Sequence, residues 1–193
     1  MELLIHRRTP PTPPWAACAV ALLTAWSALL ASPCNAQTES LEFAVKANYR
    51  FKLAPFIEWP AGAADAASAV PAICTVGSDP VTELVDEVAA TMPAERAPVV
   101  RHLSLATLHD AKCRILYIAL AEGQGATRAL EAVRGAPVLT VTDAPAPARA
   151  KGVVNFVIVN NRVRFEIDLV AAAENGLVVS SKLLELAIRV RRP

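Results

Sequence analysis

The sequence predicts a single α/β domain with a mainly parallel, doubly wound (Rossmann-like) sheet, a C-terminal antiparallel hairpin and flanking helices. Between residues 72 and 141, short apolar runs alternate with helical segments. This alternation is typical of a parallel sheet covered on both faces. Two further apolar runs flank Asn160-Asn161, a pair that suits a tight hairpin because asparagine tolerates positive φ.

The first 36 residues have the pattern of a cleavable secretory signal. Two arginines precede an uncharged apolar stretch, Trp15–Leu30, and small residues then lead to Ala36. We predict export with cleavage after Ala36, which leaves residues 37–193 as one domain. The alternatives are an uncleaved anchor, for which the apolar stretch is short, and a lipid on Cys34, which Pro33 disfavours.

The charge of the mature chain is balanced. Without the signal, which carries Glu2, Arg7 and Arg8, the chain has 17 basic and 17 acidic residues. Nucleic-acid binding requires an excess of basic side chains, as does an electrostatically held membrane-surface protein. The sequence therefore predicts neither a nucleic-acid partner nor a membrane-surface location.

Residues 41–54 have the periodicity of a helix that ends near Pro55, with Pro60 closing the segment. One face is a polar stripe of Glu42, Lys46 and Arg50. Another face is apolar and contains Val45, Tyr49 and, past the helix end, Phe56. We expect this apolar face to dock on the sheet or on a second subunit.

The remaining elements follow from short apolar runs and capping residues. The predicted strands are Ala72–Val76, Val99–Leu103, Ile115–Leu120, Val138–Val141, Val153–Val159 and Arg162–Asp168. The predicted helices are Val81–Ala90 with Asp79 as its N-cap, the short connector Leu105–His109, Thr127–Val133 and a final helix, Ser180–Val190.

Two cysteines, Cys74 and Cys113, remain after signal removal, an even pair in an oxidising compartment. Cys74 lies in the first strand of the predicted sheet and Cys113 just before the third. Doubly wound sheets commonly place these two strands side by side, within reach of a disulfide. We predict that the two cysteines are bonded; two buried free thiols are the alternative.

The turn Gly77-Ser78-Asp79 follows the first strand, where open α/β sheets place ligand chemistry. It lacks the glycine pattern of a phosphate-binding loop, so we expect helix capping. Asp79 and Asp143 have positions at the carboxyl edge of the sheet, as in a receiver domain. The third strand, however, ends in Ala119-Leu120 without an acid, and this excludes a receiver.

No complete catalytic constellation is present. The only histidines of the mature chain, His102 and His109, lie on or beside a connector, and no serine lies in a GxSxG turn. Glu58 beside Trp59 is most simply a residue at the end of a helix. We therefore predict no catalytic residues, no cofactor and no metal site; an uncharacterised enzyme that uses His102, His109 and Glu58 is the alternative.

Five segments occur in an order and spacing that resemble the YfiR-like family of exported bacterial proteins. They are VKANYRFKLAPFIEWP, CTVGSDP, PVLTVTDAP, VNFVIVNNRVRFEIDL and LVVSSKLLELA. The resemblance implies a periplasmic, dimer-forming α/β protein that binds the periplasmic sensor region of an inner-membrane diguanylate cyclase. It implies that the protein inhibits this enzyme and so lowers cyclic di-GMP and biofilm formation.

The resemblance also implies roles for individual residues. Cys74 and Cys113 match the cysteine pair of the family, whose redox state tunes activity in some members; a second pair seen in some members is missing. Glu166 matches a position implicated in partner contact, and we predict Arg164 and Trp59 as further partner-binding residues. The alternative function is a small-ligand sensor with another partner, whose ligand lies at the subunit boundary.

Overall fold

A computed structural model describes residues 34–63, 72–93, 97–110, 112–119, 124–143 and 150–193. The chain divides into two compact units, residues 1–38 and 39–193, and the strands that the structure describes lie in the second. Most of the predicted export signal, residues 1–33, lies outside the described residues. Within the described ranges, no helix is both long enough and apolar enough to cross a membrane.

A seven-stranded sheet forms the centre of the domain, in the order β3-β2-β4-β5-β6-β7-β9, and a small sheet pairs β1 with β8. The strands are β1 (Ile57–Glu58), β2 (Ile73–Val76), β3 (Val100–Leu103), β4 (Ile115–Ile118), β5 (Leu139–Thr142), β6 (Val154–Val159), β7 (Arg162–Asp168), β8 (Val178–Val179) and β9 (Arg189–Arg191). Strands β2 to β6 pair in parallel, and β6 pairs antiparallel with β7. The predicted fold class is confirmed.

Helices cover both faces of the sheet. They are α1 (Cys34–Leu53), α2 (Pro80–Ala90), α3 (Gln124–Ala132), α4 (Leu169–Glu174) and α5 (Ser181–Leu186), with 3-10 turns at Ala54–Phe56 and Leu105–Asp110. One apolar cluster includes Ala47 of α1 and Val85 of α2, and a second includes Ala129 of α3. The two clusters therefore lie on opposite faces, as a doubly wound fold requires.

Two predicted turns are confirmed in detail. Asp79 caps α2, because its carboxylate accepts hydrogen bonds from the Thr82 N–H and hydroxyl, at 2.7 Å each. In the β6–β7 hairpin, Asn160 and Asn161 have φ angles of 50° and 57°. Both φ values are positive, as a two-residue hairpin turn of type I′ requires.

Helix α1 packs on the sheet through its aromatic side chains. The ring centroid of Tyr49 lies 6.0 Å from that of Phe156 and 6.2 Å from that of Phe165, which are partners across the hairpin. The predicted docking of this helix on the sheet is confirmed at Tyr49. Val45, predicted on the same face, is half-buried and lines a groove together with Tyr49 and Lys52.

The final predicted helix, Ser180–Val190, is wrong in its second half. The helix ends at Leu186, and the backbone N–H of Ile188 donates to the Phe165 carbonyl, 3.0 Å away. Residues 189–191 then pair in parallel with β7 as β9. The backbone pairing gained by extending the sheet outweighs the helical periodicity of this segment, and the side chain of Ile188 is exposed.

The predicted disulfide is present. Strands β2 and β4 are parallel neighbours, and Cys74 and Cys113 are bonded, with their Cα atoms 5.8 Å apart. Both residues are buried in the apolar cluster beneath α3. The bond therefore ties the start of β4 to the middle of β2 inside the core.

Candidate functional site

The two faces of β7 have different surroundings. Successive side chains of a strand point to opposite faces, so Phe165 faces α1, where it meets Tyr49. Arg162, Arg164, Glu166 and Asp168 point to the other face. Charged side chains thus alternate with apolar ones along β7 and define a separate surface away from α1.

Strand β9 adds two arginines to the same face. Arg189 is the register partner of Glu166, and Arg191 is the partner of Asp168. The Arg191 guanidinium lies 2.8 Å from the Asp168 carboxylate, and Arg189 Nε lies 3.6 Å from Glu166 Oε1. Opposite charges across a strand pair stabilise the pairing modestly, so these contacts help to fix β9 in register.

Lys151 completes the cluster from the segment before β6. Its Nζ lies 2.7 Å from Glu166 Oε2, so the Glu166 carboxylate lies between two cations and its side chain is only 16% exposed. We call the surface formed by these side chains the basic sheet face; its members are Lys151, Arg162, Arg164, Glu166, Asp168, Arg189 and Arg191. It carries five cationic and two anionic groups.

The carboxylates lie low on this face and the arginines stand above them. The side chains of Glu166 and Asp168 are 16% and 15% exposed, whereas those of Arg189 and Arg191 are 75% and 67% exposed. A groove of about 350 Å³ runs between Lys151 and the two β9 arginines. A second cavity, of about 520 Å³, continues from Lys151 and Arg191 towards α3. The basic sheet face therefore presents mainly cationic groups to solvent.

The three predicted partner-binding residues do not share one place. Glu166 and Arg164 share the basic sheet face, whereas the ring of Trp59 lies against the Arg114 guanidinium, 5.1 Å from ring centroid to Cζ. Arg114 precedes β4 and so lies at the amino ends of the parallel strands. Glu166 is in register with Thr142, the last residue of β5, and so lies at the carboxyl end of that strand. Partner binding by each of these residues stays a prediction.

His102 belongs to an array of three side chains that has the order of a hydroxyl–imidazole–carboxylate triad. Thr75 Oγ1 lies 2.7 Å from His102 Nδ1, and Asp86 Oδ2 lies 2.9 Å from His102 Nε2. Thr75 has no exposed surface, so its hydroxyl has no access to a substrate. The array connects α2 to strands β2 and β3. Glu58 lies elsewhere, in the small sheet.

The sequence did not predict the environment of Lys46. The helix periodicity placed Lys46 in a polar stripe with Glu42, but its side chain is only 3% exposed. Its ammonium group contacts Glu42 one turn away and lies 2.6 Å from the Asp143 carboxylate, just past β5. Lys46 thus joins α1 to the carboxyl edge of the sheet by a largely buried ion pair. Only the register of helix on sheet, which no local pattern encodes, reveals this contact.

Burial shifts the ionisation of Asp143. Loss of solvent raises the pKa of the Asp143 carboxyl, the nearby Lys46 ammonium lowers it, and the charges of Glu42 and Asp79 raise it again; the net pKa lies above the ordinary value. Asp79 in turn accepts a hydrogen bond from the Tyr117 hydroxyl. Three acids and one lysine therefore meet at this edge of the sheet.

The raised pKa of Asp143 predicts a specific pH dependence of stability. The folded state binds the proton more tightly, so Asp143 contributes stability that is complete below the unfolded pKa of about 3.9 and is lost as pH rises through the folded pKa. Asp143→Asn should remove this contribution. Urea unfolding of the wild type and the variant, measured from below about pH 3.9 upward, tests this. The stability of the wild type should fall relative to that of the variant as pH rises. Two parallel pH profiles would show that Asp143 makes no such contribution.

The chain belongs to the YfiR/HmsC-like family (DUF4154), whose model matches residues 43–188. At the level of the family, this membership supports a periplasmic regulator of a diguanylate cyclase. No curated protein matches the chain. The comparisons do not support a homodimer or a small-molecule ligand, which both stay predictions.

A solved structure described as an ABC domain in complex with L-Trp from Streptococcus pneumonia has a similar fold. Its sequence is 10% identical, with a TM-score of 0.52, and the match covers 77% of this chain and 60% of that chain. This chain thus spans less than two thirds of that protein. At such low identity the likeness shows the fold alone.

Proposed function

We propose that this protein is a non-enzymatic periplasmic regulator that binds the sensor region of an inner-membrane diguanylate cyclase and inhibits the enzyme. Inhibition lowers cyclic di-GMP and with it biofilm formation. Family membership supports the class of function. The observation that carries the binding proposal is the basic sheet face, which brings Glu166 and Arg164 together on one exposed surface.

The charge of this surface suits a macromolecular partner. The five cationic and two low-lying anionic side chains of this face produce a local positive potential on a chain whose total charge is balanced. Such a patch speeds the approach of an acidic surface and excludes basic ones. The contact therefore supplies both the rate and the specificity that a regulator needs when many proteins share its compartment.

Inhibition then follows from unequal binding to two states of the cyclase. A protein that binds the inactive state more tightly shifts the population towards it. A hundredfold difference in affinity corresponds to about 2.7 kcal/mol of bias. This mechanism requires a binding surface and no catalytic group.

Arg164→Glu is expected to raise cyclic di-GMP towards the level of a deletion strain. Arg164 is exposed on the basic sheet face, so reversing its charge weakens the attraction for an acidic partner while leaving the fold intact. The measurement is the nucleotide level in a deletion strain that carries the variant gene. Periplasmic amounts of the variant and the wild type are compared by immunoblot.

Arg101→Glu is the matched control. Arg101 is also an exposed arginine on a strand, but it lies in β3 at the opposite edge of the same sheet. The control should restore wild-type cyclic di-GMP. Equal complementation by both variants would argue that the basic sheet face is not the binding surface.

A further inference from the structure

Among the described residues, strand β9 is an edge strand with no strand on its outer side. It ends the strand order of the seven-stranded sheet among the described residues. The backbone N–H of Ile188 donates to the Phe165 carbonyl in β7. Because the backbone groups of successive residues in a strand point to alternate sides, the N–H and C=O of Val190 also point to β7. The N–H and C=O groups of Arg189 and Arg191 therefore point away from the sheet, where an added strand would pair with them.

The side chains of the same two residues select what can pair there. Arg189 and Arg191 are two positions apart, lie on one face and are 75% and 67% exposed. A strand added at this edge places its own residues directly opposite them, about 5 Å away. Carboxylates at alternate positions of the added strand match this spacing.

A second copy of the same edge is a poor occupant. Antiparallel pairing of two β9 strands about a twofold axis would place Arg189 of one copy opposite Arg191 of the other, twice. Like charges directly opposite each other destabilise a strand pair, and charged side chains on edge strands commonly prevent self-association. The β9 edge therefore disfavours pairing with β9 of a second copy and favours a strand that carries acidic side chains.

We infer that the β9 edge binds an extended segment of the partner protein that carries carboxylate side chains at alternate positions, by addition of a strand to the sheet. The inference rests on the proposed function, since it specifies how that partner is held. Backbone hydrogen bonds to Arg189 and Arg191 supply affinity, and the carboxylates opposite their guanidinium groups supply specificity. The low-lying Glu166 and Asp168 keep the two arginines in place.

The test uses isotope-labelled mature protein and a blocked peptide of about nine residues in which glutamate alternates with threonine. Titration is expected to shift the backbone amide signals of Arg189 and Arg191. The double variant Arg189→Gln/Arg191→Gln should bind about 10- to 100-fold more weakly. Arg101→Gln, at the opposite edge, should bind as the wild type does. Glutamine preserves the strand, and an unchanged amide spectrum away from β9 verifies folding.

Two modified peptides separate strand addition from simple charge attraction. A peptide with lysine in place of glutamate should not bind. A peptide that is N-methylated at alternate residues keeps its carboxylates but loses the donors on one edge, and it should also fail to bind. Equal binding of the N-methylated peptide would overturn the inference, as would undiminished binding to the double glutamine variant.

Other occupants of the edge give distinct results. If inorganic phosphate shifts the same amides and displaces the peptide, the edge is an anion site and the inference is wrong. If the amide shifts depend on protein concentration without peptide, a second copy is the occupant, which also contradicts the inference.

A deletion strain separates this inference from the proposed function. If deletion raises cyclic di-GMP and the double glutamine variant restores the wild-type level fully, strand addition fails while the proposed function stands. No change on deletion would instead refute the proposed function.

Discussion

Replacing Cys74 and Cys113 together by alanine is expected to lower the free energy of unfolding by about 4 kcal/mol. The disulfide joins residues that are 39 positions apart, and a loop of this length loses considerable entropy when its ends are connected in the unfolded chain. Both cysteines are buried, so the alanines also leave small voids. Such a loss is a large share of the stability of a typical domain.

Urea unfolding of the oxidised wild type and the double variant measures this difference. Wild-type protein unfolded with an excess of reductant is the control, and its stability should approach that of the variant. Because both cysteines are inside the core, we expect slow reduction under native conditions and fast reduction above the urea midpoint. A difference below about 1 kcal/mol would show that the bond contributes little constraint.

Replacing Lys46 by methionine is expected to lower the free energy of unfolding by about 2–3 kcal/mol. Methionine keeps the apolar volume of the buried stem but removes the charge that faces Asp143 and Glu42. The two carboxylates are about one quarter exposed, so water screens part of the loss. The loss should shrink in acid, where protonation neutralises Asp143.

Two further variants test the explanation. Lys52→Met changes an exposed lysine of the same helix and should alter stability by less than about 0.5 kcal/mol. Adding Asp143→Asn to Lys46→Met removes the buried charge left without its partner and should recover part of the loss. Equal effects of Lys46→Met and Lys52→Met would contradict a role for the ion pair in holding α1.

The sequence predicted the parallel strands well because their signals are local. Buried strands such as Ile115–Ile118 are continuous apolar runs, and turns such as Asn160-Asn161 have side chains suited to their backbone angles. The pairing of the first and third strands followed from the usual order of doubly wound sheets. That order correctly placed Cys74 near Cys113.

Features that depend on long-range register were missed. Residues 189–191 continue a helical period, and only the free edge of β7 makes them a strand. Lys46 has an ordinary i, i+4 partner in Glu42, so nothing nearby indicated that it faces Asp143, 97 positions away. Tertiary contacts overrode the local pattern in both cases.

The candidate site shows the same division. Alternation along β7 places Arg164 and Glu166 on one face, and the family resemblance drew attention to Glu166. Lys151 and Arg189 join Glu166 only through the β6–β7 and β7–β9 registers. The sequence therefore predicted Arg164 and Glu166 of the basic sheet face but not the cations Lys151 and Arg189 that surround Glu166.

Regulation from the periplasm is tested most directly by cyclic di-GMP levels in a strain that lacks the gene. We predict a rise on deletion, full reversal by the complete gene, and no reversal by a gene that lacks residues 2–36 and so keeps the protein in the cytoplasm. Unchanged cyclic di-GMP on deletion, or reversal by the leaderless gene, would contradict a periplasmic regulator that binds a membrane cyclase.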